Sequence, residues 1–366
     1  MQDISNVLSV LKINVANIVK NYKLVKDAVG EATNVAAVVK SDCYGLGVKK
    51  IVPELAKAGC NEFYVANVDE GIALRDVLKS ERIFVLHGIN KGEERYFLKH
   101  NLIPVLNNEH QVEIWEASAK ALKEKLPASL NIDTGMTRLG MSLDQFEQII
   151  NDLKNKSLLD IIYIKTHLAC ANETSNKMNE DQFDKFKIII KKYPGYKYSF
   201  ANSPGFILGE KYWYDQVRVG AMLYGINPSD NKNFTVNPVV EVTSKIIKIY
   251  DITKEGTIGY GASYHLKPGM AIATMPVGYA DGYFRSLSNK GHCYINGIKT
   301  PIIGNISMDL TTIDITNVPK RLRQIGQEIE LIGKNISLET IASIANTISY
   351  EVLTSLGNRY RREYVY

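Results

Sequence analysis

Eight short apolar runs set the first constraint on this chain. They lie at residues 35–39, 62–68, 83–89, 102–106, 128–134, 159–169, 197–203 and 216–225, separated by segments with helical spacing. One such segment is "NEDQFDKFKIIIKKY", which puts Phe183, Phe186 and Ile190 on a single face. Continuous rather than alternating apolar runs suit strands buried on both faces, as in a parallel sheet. Eight β/α units within about 215 residues predict a (β/α)8 barrel. An open, doubly wound sheet is the rival, because nothing in the periodicity closes a barrel.

The rhythm changes near residue 230. "VVEVTSKIIKIYDI", "MAIATMPVGY", "CYINGIKTPIIG", "TTIDIT" and "EIELIG" read as strands joined by turns. Asn296-Gly297 is a hairpin signal of the type I′ kind, since both central residues must take positive φ. One helix is predicted from about Ser337 to Asn346, with Ser337 as its N-cap. The expected organisation is a barrel over residues 11–230 and a smaller, mostly β C-terminal domain over 231–366. Residues 1–10 form an N-terminal strand associated with that domain.

Composition excludes several functions. Apolar residues make up 45 % and charged ones 23 %, a globular balance. The net charge of +5 is spread out; the densest basic cluster, Arg359, Arg361 and Arg362, is too short for a nucleic-acid surface. Cys43, Cys60, Cys170 and Cys293 show no metal-ligand or CxxC spacing and read as reduced thiols of a cytoplasmic protein. The N-terminus lacks the basic and apolar regions of a signal peptide. No apolar run approaches the roughly 20 residues that span a bilayer.

The chemistry gathers at strand ends, where barrels carry their active sites. "VAAVVKSDCYGLG" runs five small or β-branched residues into Lys40. Desolvation in an apolar mouth lowers a lysine's pKa, and a neutral amine is a nucleophile able to form a Schiff base with an aldehyde. A lone lysine there more often snorkels to water. Other strand ends add Asp133 and Arg138 ("NIDTGMTRLG"), His167 ("KTHLACANE"), Asn202 and Ser203 ("SFANSPG"), and Arg218 within "VRVGAMLYG". Each alone has a structural explanation; their joint placement at one end points to a site.

Together these motifs resemble those of the alanine racemases, pyridoxal-phosphate enzymes built on a barrel. "VVKSDCYGLG", "DTGMTRLG", "THLACANE", "ANSPG" and "VRVGAMLYG" follow one another along the barrel; "GYGASY", "PVGYADG", "GNISMD" and "YEV" follow in the β domain. The resemblance covers essentially the whole chain. It implies that Lys40 holds pyridoxal 5'-phosphate covalently. Tyr44, Asn202, Ser203, the Gly220–Ala221 backbone and Tyr350 would help hold the cofactor, most of them at its phosphate, which needs several donors at fixed positions. Arg218 would face the pyridine nitrogen, and His167 would lie by the ring and help orient Arg218. Tyr260 would be the second catalytic base, and Arg138, Tyr279 and Met308 would line the substrate-carboxylate side. In the family a partner subunit completes the site, so a homodimer is implied, with Tyr260, Tyr279 and Met308 acting in trans. Supply of D-alanine for peptidoglycan is the implied purpose.

Inversion at Cα needs a proton-transfer group on each face, here Lys40 and Tyr260. A tyrosine acting as a base needs its phenolate stabilised by positive charge or donors, and His167 and Arg218 are the expected sources. An arginine facing the ring can donate to the nitrogen without protonating it. That disfavours transamination and argues against the first alternative, a pyridoxal-phosphate decarboxylase on the same barrel. A broader-specificity racemase is a second alternative. A non-catalytic pyridoxal-phosphate-binding protein, the third, would lack the β domain. One position departs from a common family pattern: where many relatives carry a carbamylated lysine, this chain has Asn131. Arg138 is therefore expected to be held by an anion or by Asn131 itself.

Overall fold

The computed structural model describes residues 8–231 and 233–366. Among them, 17–43 and 47–237 form one compact unit, and 8–16, 44–46 and 238–366 form another. The first strand, β1 (Val10–Asn14), belongs to the second unit and extends beyond the 1–10 segment expected to hold it. Residues 1–7 of that segment lie outside the described residues.

The first unit is the barrel. Its strands are β2 (Asn34–Val38), β3 (Glu62–Val65), β4 (Arg82–Val85), β5 (Leu102–Leu106), β6 (Leu126–Asn131), β7 (Leu159–Lys165), β8 (Tyr198–Ser199) and β9 (Gln216–Val219). Each pairs in parallel with the next, and β9 returns to β2 with Asn34 opposite Gln216 and Ala37 opposite Val219. That last pairing decides for the closed barrel over the open sheet. Every residue of β3, β5 and β9 is buried, which is why these segments read as unbroken apolar runs. Inside the barrel Ala36, Tyr64, Phe84, Ile103, Val105 and Tyr163 pack together, and the Tyr64 and Phe84 rings stack at 4.7 Å. A side chain the size of Phe84, fully removed from water, contributes about 1.5–3 kcal/mol. β8 is shorter than its apolar run. Asn202 takes extended angles and caps the turn Ser203–Ile207, whose Pro204 cannot donate to a sheet ladder. The helix Met178–Lys192 buries Gln182, Phe186 and Ile189, a face rotated slightly from the expected one.

The second unit adds β10 (Val240–Lys245), β11 (Lys248–Asp251), β12 (Gly256–Ile258), β13 (Tyr264–Leu266), β14 (Ala271–Met275), β15 (His292–Ile295), β16 (Ile298–Pro301), β17 (Thr311–Asp314), β18 (Glu328–Ile332) and β19 (Arg361–Val365). A six-stranded sheet runs β16-β15-β18-β10-β1-β19, beside a three-stranded sheet β11-β14-β17 and the hairpin β12–β13. The β15–β16 turn has φ of 48° at Asn296 and 77° at Gly297, as a type I′ turn requires. The helix Leu338–Ala345 begins where Ser337 accepts the Thr340 N–H and ends at Asn346, φ 59°. A second helix, Ser349–Ser355, was not foreseen in "SYEVLTS", although Ser349, Val352 and Leu353 bury one helical face.

Candidate active site

Lys40 follows β2 after one residue, Val39. From there the chain makes one turn wound the wrong way for L-residues: Ser41, Asp42, Cys43 and Tyr44 have φ of 53° to 57°. This conformation costs about 1–2 kcal/mol per residue, so the surroundings must hold it. Glu70 does much of this. Its carboxylate accepts the Ser41 N–H at 2.8 Å and the Ala66 N–H at 2.7 Å, tying the ends of β2 and β3 together. Asp42 accepts the Val48 N–H at 2.7 Å, and the Cys43 side chain is fully buried. The Lys40 amine makes no hydrogen bond or ion pair among the described residues. Burial, then the charge of Arg138, pull it below the ordinary lysine range, against a smaller opposing pull from Glu70.

Arg218 lies on β9 and is 3 % exposed. Among the described residues no carboxylate touches it. One terminal nitrogen donates to Ser199 Oγ, the other to the carbonyls of Thr166 at 2.6 Å and Phe200 at 3.3 Å. Its Nε–H has no acceptor among the described residues. Burial pulls the guanidinium down to about 10, so it still carries its charge at neutral pH. His167 is held by a different neighbour. Asn202 Oδ1 accepts the Gly205 N–H at 2.9 Å, which turns its Nδ2 toward His167 Nε2 at 3.3 Å. An amide nitrogen only donates, so Nε2 accepts and the ring proton sits on Nδ1. Burial, then Arg218, hold the imidazole well below its ordinary range and therefore neutral. One expectation changes. His167 makes no hydrogen bond to Arg218 among the described residues, so it does not orient the guanidinium that way. Being neutral, it brings a donor rather than a charge.

Arg138 is exposed in the loop after β6 and makes no ion pair among the described residues. Asn131 does not hold it: Asn131 Nδ2 donates to Asn107 Oδ1 at 2.8 Å, and its buried Oδ1 has no partner. Directly across the β6–β7 ladder from Asn131 stands Lys165, a residue the sequence reading passed over. It is 3 % exposed and lies 5.7 Å from the centre of the Tyr64 ring. Burial, then Arg218, Arg138 and Lys40, keep it well below the lysine range. It carries the signature that drew attention to Lys40, a lysine ending an apolar run, but His167 two residues on took the notice.

Ser203 Oγ accepts the Gly220 N–H at 2.9 Å, leaving the Ser203 proton to donate elsewhere. Gly220 thus spends its N–H on the serine, and Ala221 is the backbone donor of that pair. In the second unit, the Tyr44 and Tyr350 rings lie 6.1 Å apart, and burial pushes the Tyr350 hydroxyl up to about 12, keeping it a donor. Tyr260, at 75 % exposure, sits in a turn where Gly259, Gly261 and Ala262 all have positive φ. Its carbonyl accepts from Asn305 Nδ2 at 2.8 Å. Tyr279 and Met308 are brought together, because Tyr279 N–H donates to Ser307 O at 3.1 Å and Ala280 N–H to Met308 O at 3.0 Å. Arg359 clamps this region, gripping Asp281 through two nitrogens at 2.7 Å and Asp309 at 2.6 Å.

An amine without a partner, a serine hydroxyl free to donate and a buried guanidinium with an unused N–H suit an aldehyde, a phosphate and a ring nitrogen. That donor set fits pyridoxal phosphate. Comparison with known proteins agrees. Residues 13–228 match the alanine racemase N-terminal domain, and residues 239–364 match the alanine racemase C-terminal domain. The chain belongs to the alanine racemase family. The alanine racemase of Rickettsia canadensis is 43 % identical over 98 % of this chain and 99 % of its own length. That of Brucella abortus (strain 2308) is 40 % identical over 98 % and 93 %. Among solved structures, the alanine racemase of Bartonella henselae, with covalently bound pyridoxal phosphate, superposes with a TM-score of 0.94 at 37 % identity over 98 % of this chain and 99 % of that one.

Proposed function

We propose that Lys40 and Tyr260 are the two proton-transfer groups of this alanine racemase family member, serving opposite faces of Cα, and that Tyr260 comes from a second copy of the chain. Membership of the family carries the reaction itself, interconversion of L- and D-alanine by an isomerase that depends on pyridoxal phosphate. When bound, the cofactor takes up the electron pair left as the Cα proton departs. The residues of this chain do the rest. The observation that carries the reading is the Lys40 amine, drawn below the lysine range and making no hydrogen bond or ion pair among the described residues. Such an amine can bind an aldehyde and, once released from it, accept a proton.

Ser203, Ala221, Tyr44 and Tyr350 supply donors for the phosphate. Arg218 offers its Nε–H to the ring nitrogen and, as a group that keeps its proton, leaves that nitrogen hydrogen-bonded rather than protonated. Arg138, Tyr279 and Met308 receive the substrate carboxylate side. Exposure of Tyr260, Tyr279 and Met308, at 75 %, 43 % and 54 %, supports their being covered by a partner copy. Four unpaired cysteines suit a reducing compartment; no helix among the described residues is long and apolar enough to cross a membrane. We place the enzyme in the cytoplasm, feeding D-alanine to peptidoglycan.

The test is to incubate purified protein with L-alanine and pyridoxal phosphate and measure D-alanine by chiral chromatography. Borohydride reduction and peptide mass spectrometry should then leave the pyridoxyl group on Lys40. Label on another lysine would remove the first base, and a fully active monomer would remove the partner's role.

A further inference from the structure

A second polar layer crosses the barrel beneath Arg218, and the reaction as read above gives it no role. Glu62 opens β3, and its side chain is 4 % exposed. It accepts from Gln216 Nε2 at 2.6 Å, Asn34 Nδ2 at 2.5 Å, Tyr163 at 3.1 Å and Arg82 at 3.1 Å. Gln216 opens β9, and its Oε1 accepts from Ser199 Oγ at 2.8 Å and Tyr64 at 2.9 Å. Ser199 Oγ in turn accepts from Arg218. An unbroken chain of hydrogen bonds therefore joins Arg82, at the N-terminal ends of the strands, to Arg218 near their C-terminal ends.

Donor and acceptor identities give the chain a direction. A carboxylate only accepts, so Gln216 must turn its Nε2 toward Glu62. That leaves Gln216 Oε1 facing Ser199 and Tyr64: the Tyr64 hydroxyl donates to it, and the Ser199 hydroxyl donates to it at 2.8 Å, closer than the Gln216 main-chain carbonyl at 3.1 Å. With its proton committed there, Ser199 has only a lone pair to offer Arg218. If Glu62 were able to donate, the Gln216 amide could turn over. Ser199 would then accept from Gln216 as well as from Arg218 and turn its proton to the Gln216 main-chain carbonyl, which re-aims the lone pair offered to the guanidinium. Charge acts the same way along the chain, since aligned hydrogen bonds polarise one another in a low-dielectric interior. Arg218 has no carboxylate of its own, and an uncompensated buried charge is costly.

We infer that Glu62 is a positioning residue for the reaction: through Gln216 and Ser199 it sets how the Arg218 guanidinium is held toward the cofactor ring. This rests on the reading of Arg218 given above. Tyr64, Lys165 and His167 also surround the guanidinium, but none of them is a carboxylate.

The test uses the holoenzyme and three variants. Glu62→Gln keeps shape and removes the acceptor-only end, Gln216→Leu cuts the chain in the middle, and Arg218→Glu is the reference. Pyruvate formed per D-alanine, the visible band of the bound cofactor, KM for alanine and thermal stability are measured for each. Glu62→Gln and Gln216→Leu should each raise the pyruvate ratio about 2- to 10-fold, the worth of one hydrogen bond, and shift the band, with KM changed less than about 2-fold. A loss of thermal stability with an unchanged ratio and band in the folded variants would make Glu62 merely structural and overturn the inference. If Arg218→Glu moves the ratio and these two do not, this inference alone fails. If Arg218→Glu also leaves it unchanged, the reading of Arg218 fails with it.

Discussion

Gly278 precedes Tyr279 at the point where two backbone segments of the second unit nearly touch. Its own angles, φ −146° and ψ −164°, are extended and open to any residue, so replacing it tests packing alone. A Cβ there would lie 2.3 Å from Ser307 O and 2.4 Å from Met308 O, about 1 Å inside ordinary contact. The obstructing atoms are main chain and cannot rotate away. Relief requires moving residues 307–308, whose carbonyls accept the Tyr279 and Ala280 N–H groups. Overpacking costs about 1–3 kcal/mol, and loosening two hydrogen bonds adds about 1 kcal/mol each. Gly278→Ala is therefore expected to destabilise by about 3–5 kcal/mol, a fall in melting temperature of about 4 °C or more. KM for alanine should rise more than kcat falls if Tyr279 and Met308 line the substrate side as proposed, because both are displaced. Gly256→Ala is the control: a Cβ there meets nothing within 4 Å, and its effect should stay within about 0.5 kcal/mol. Scanning fluorimetry and steady-state racemisation read both variants. If the two behaved alike, the close approach at Gly278 would not exist in the folded protein.

Three further outcomes are expected. Tyr260→Phe should lower racemisation in both directions alike, because L- and D-alanine have equal free energy, while cofactor absorbance and solvent exchange of the Cα proton of one enantiomer, the one served by Lys40, are retained; full racemisation rates would remove Tyr260 as a base. Arg218→Glu should raise pyruvate formation relative to D-alanine, and an unchanged product ratio would count against the guanidinium's part in reaction choice. Lys165→Met concerns stability. The amine is charged when unfolded and held well below that range when folded. Between its depressed folded pKa and the unfolded value near 10.4, the unfolded state binds the extra proton and stability rises with pH. The variant should lose up to about 1.4 kcal/mol per pH unit of that slope and be more stable near neutrality, as urea midpoints at several pH values would reveal; parallel profiles would show that Lys165 is charged in the folded state.

The barrel strands were legible because burial on both faces leaves an apolar run with no alternation to misread. Closure was not, since it rests on β9 finding β2 across the length of the unit, and no local pattern encodes that. Lys40 and Arg218 stood out as charges inside apolar runs. Lys165 has the same mark and was hidden by its neighbour His167. Glu62 was invisible for the opposite reason: an acid that opens a strand looks like an ordinary solvated end, and its burial depends on Tyr163, Asn34 and Gln216 arriving from three other strands. The supposed link between His167 and Arg218 failed because Asn202 and the carbonyls of Thr166 and Phe200 compete for the same groups. The helix Ser349–Ser355 spans only seven residues, too few for a helical period to stand out in "SYEVLTS".

No propensity could have announced the inverted winding of Ser41 to Tyr44, for it contains no glycine; the clasp of Glu70 and Asp42 and the burial of Cys43 hold it. Such a segment has no gently relaxed neighbouring conformation: it keeps its hand or it lets go altogether. Such winding would make the backbone at Lys40 a fixed post, so that, in the role proposed for it, the amine would travel by the swing of its four methylenes alone.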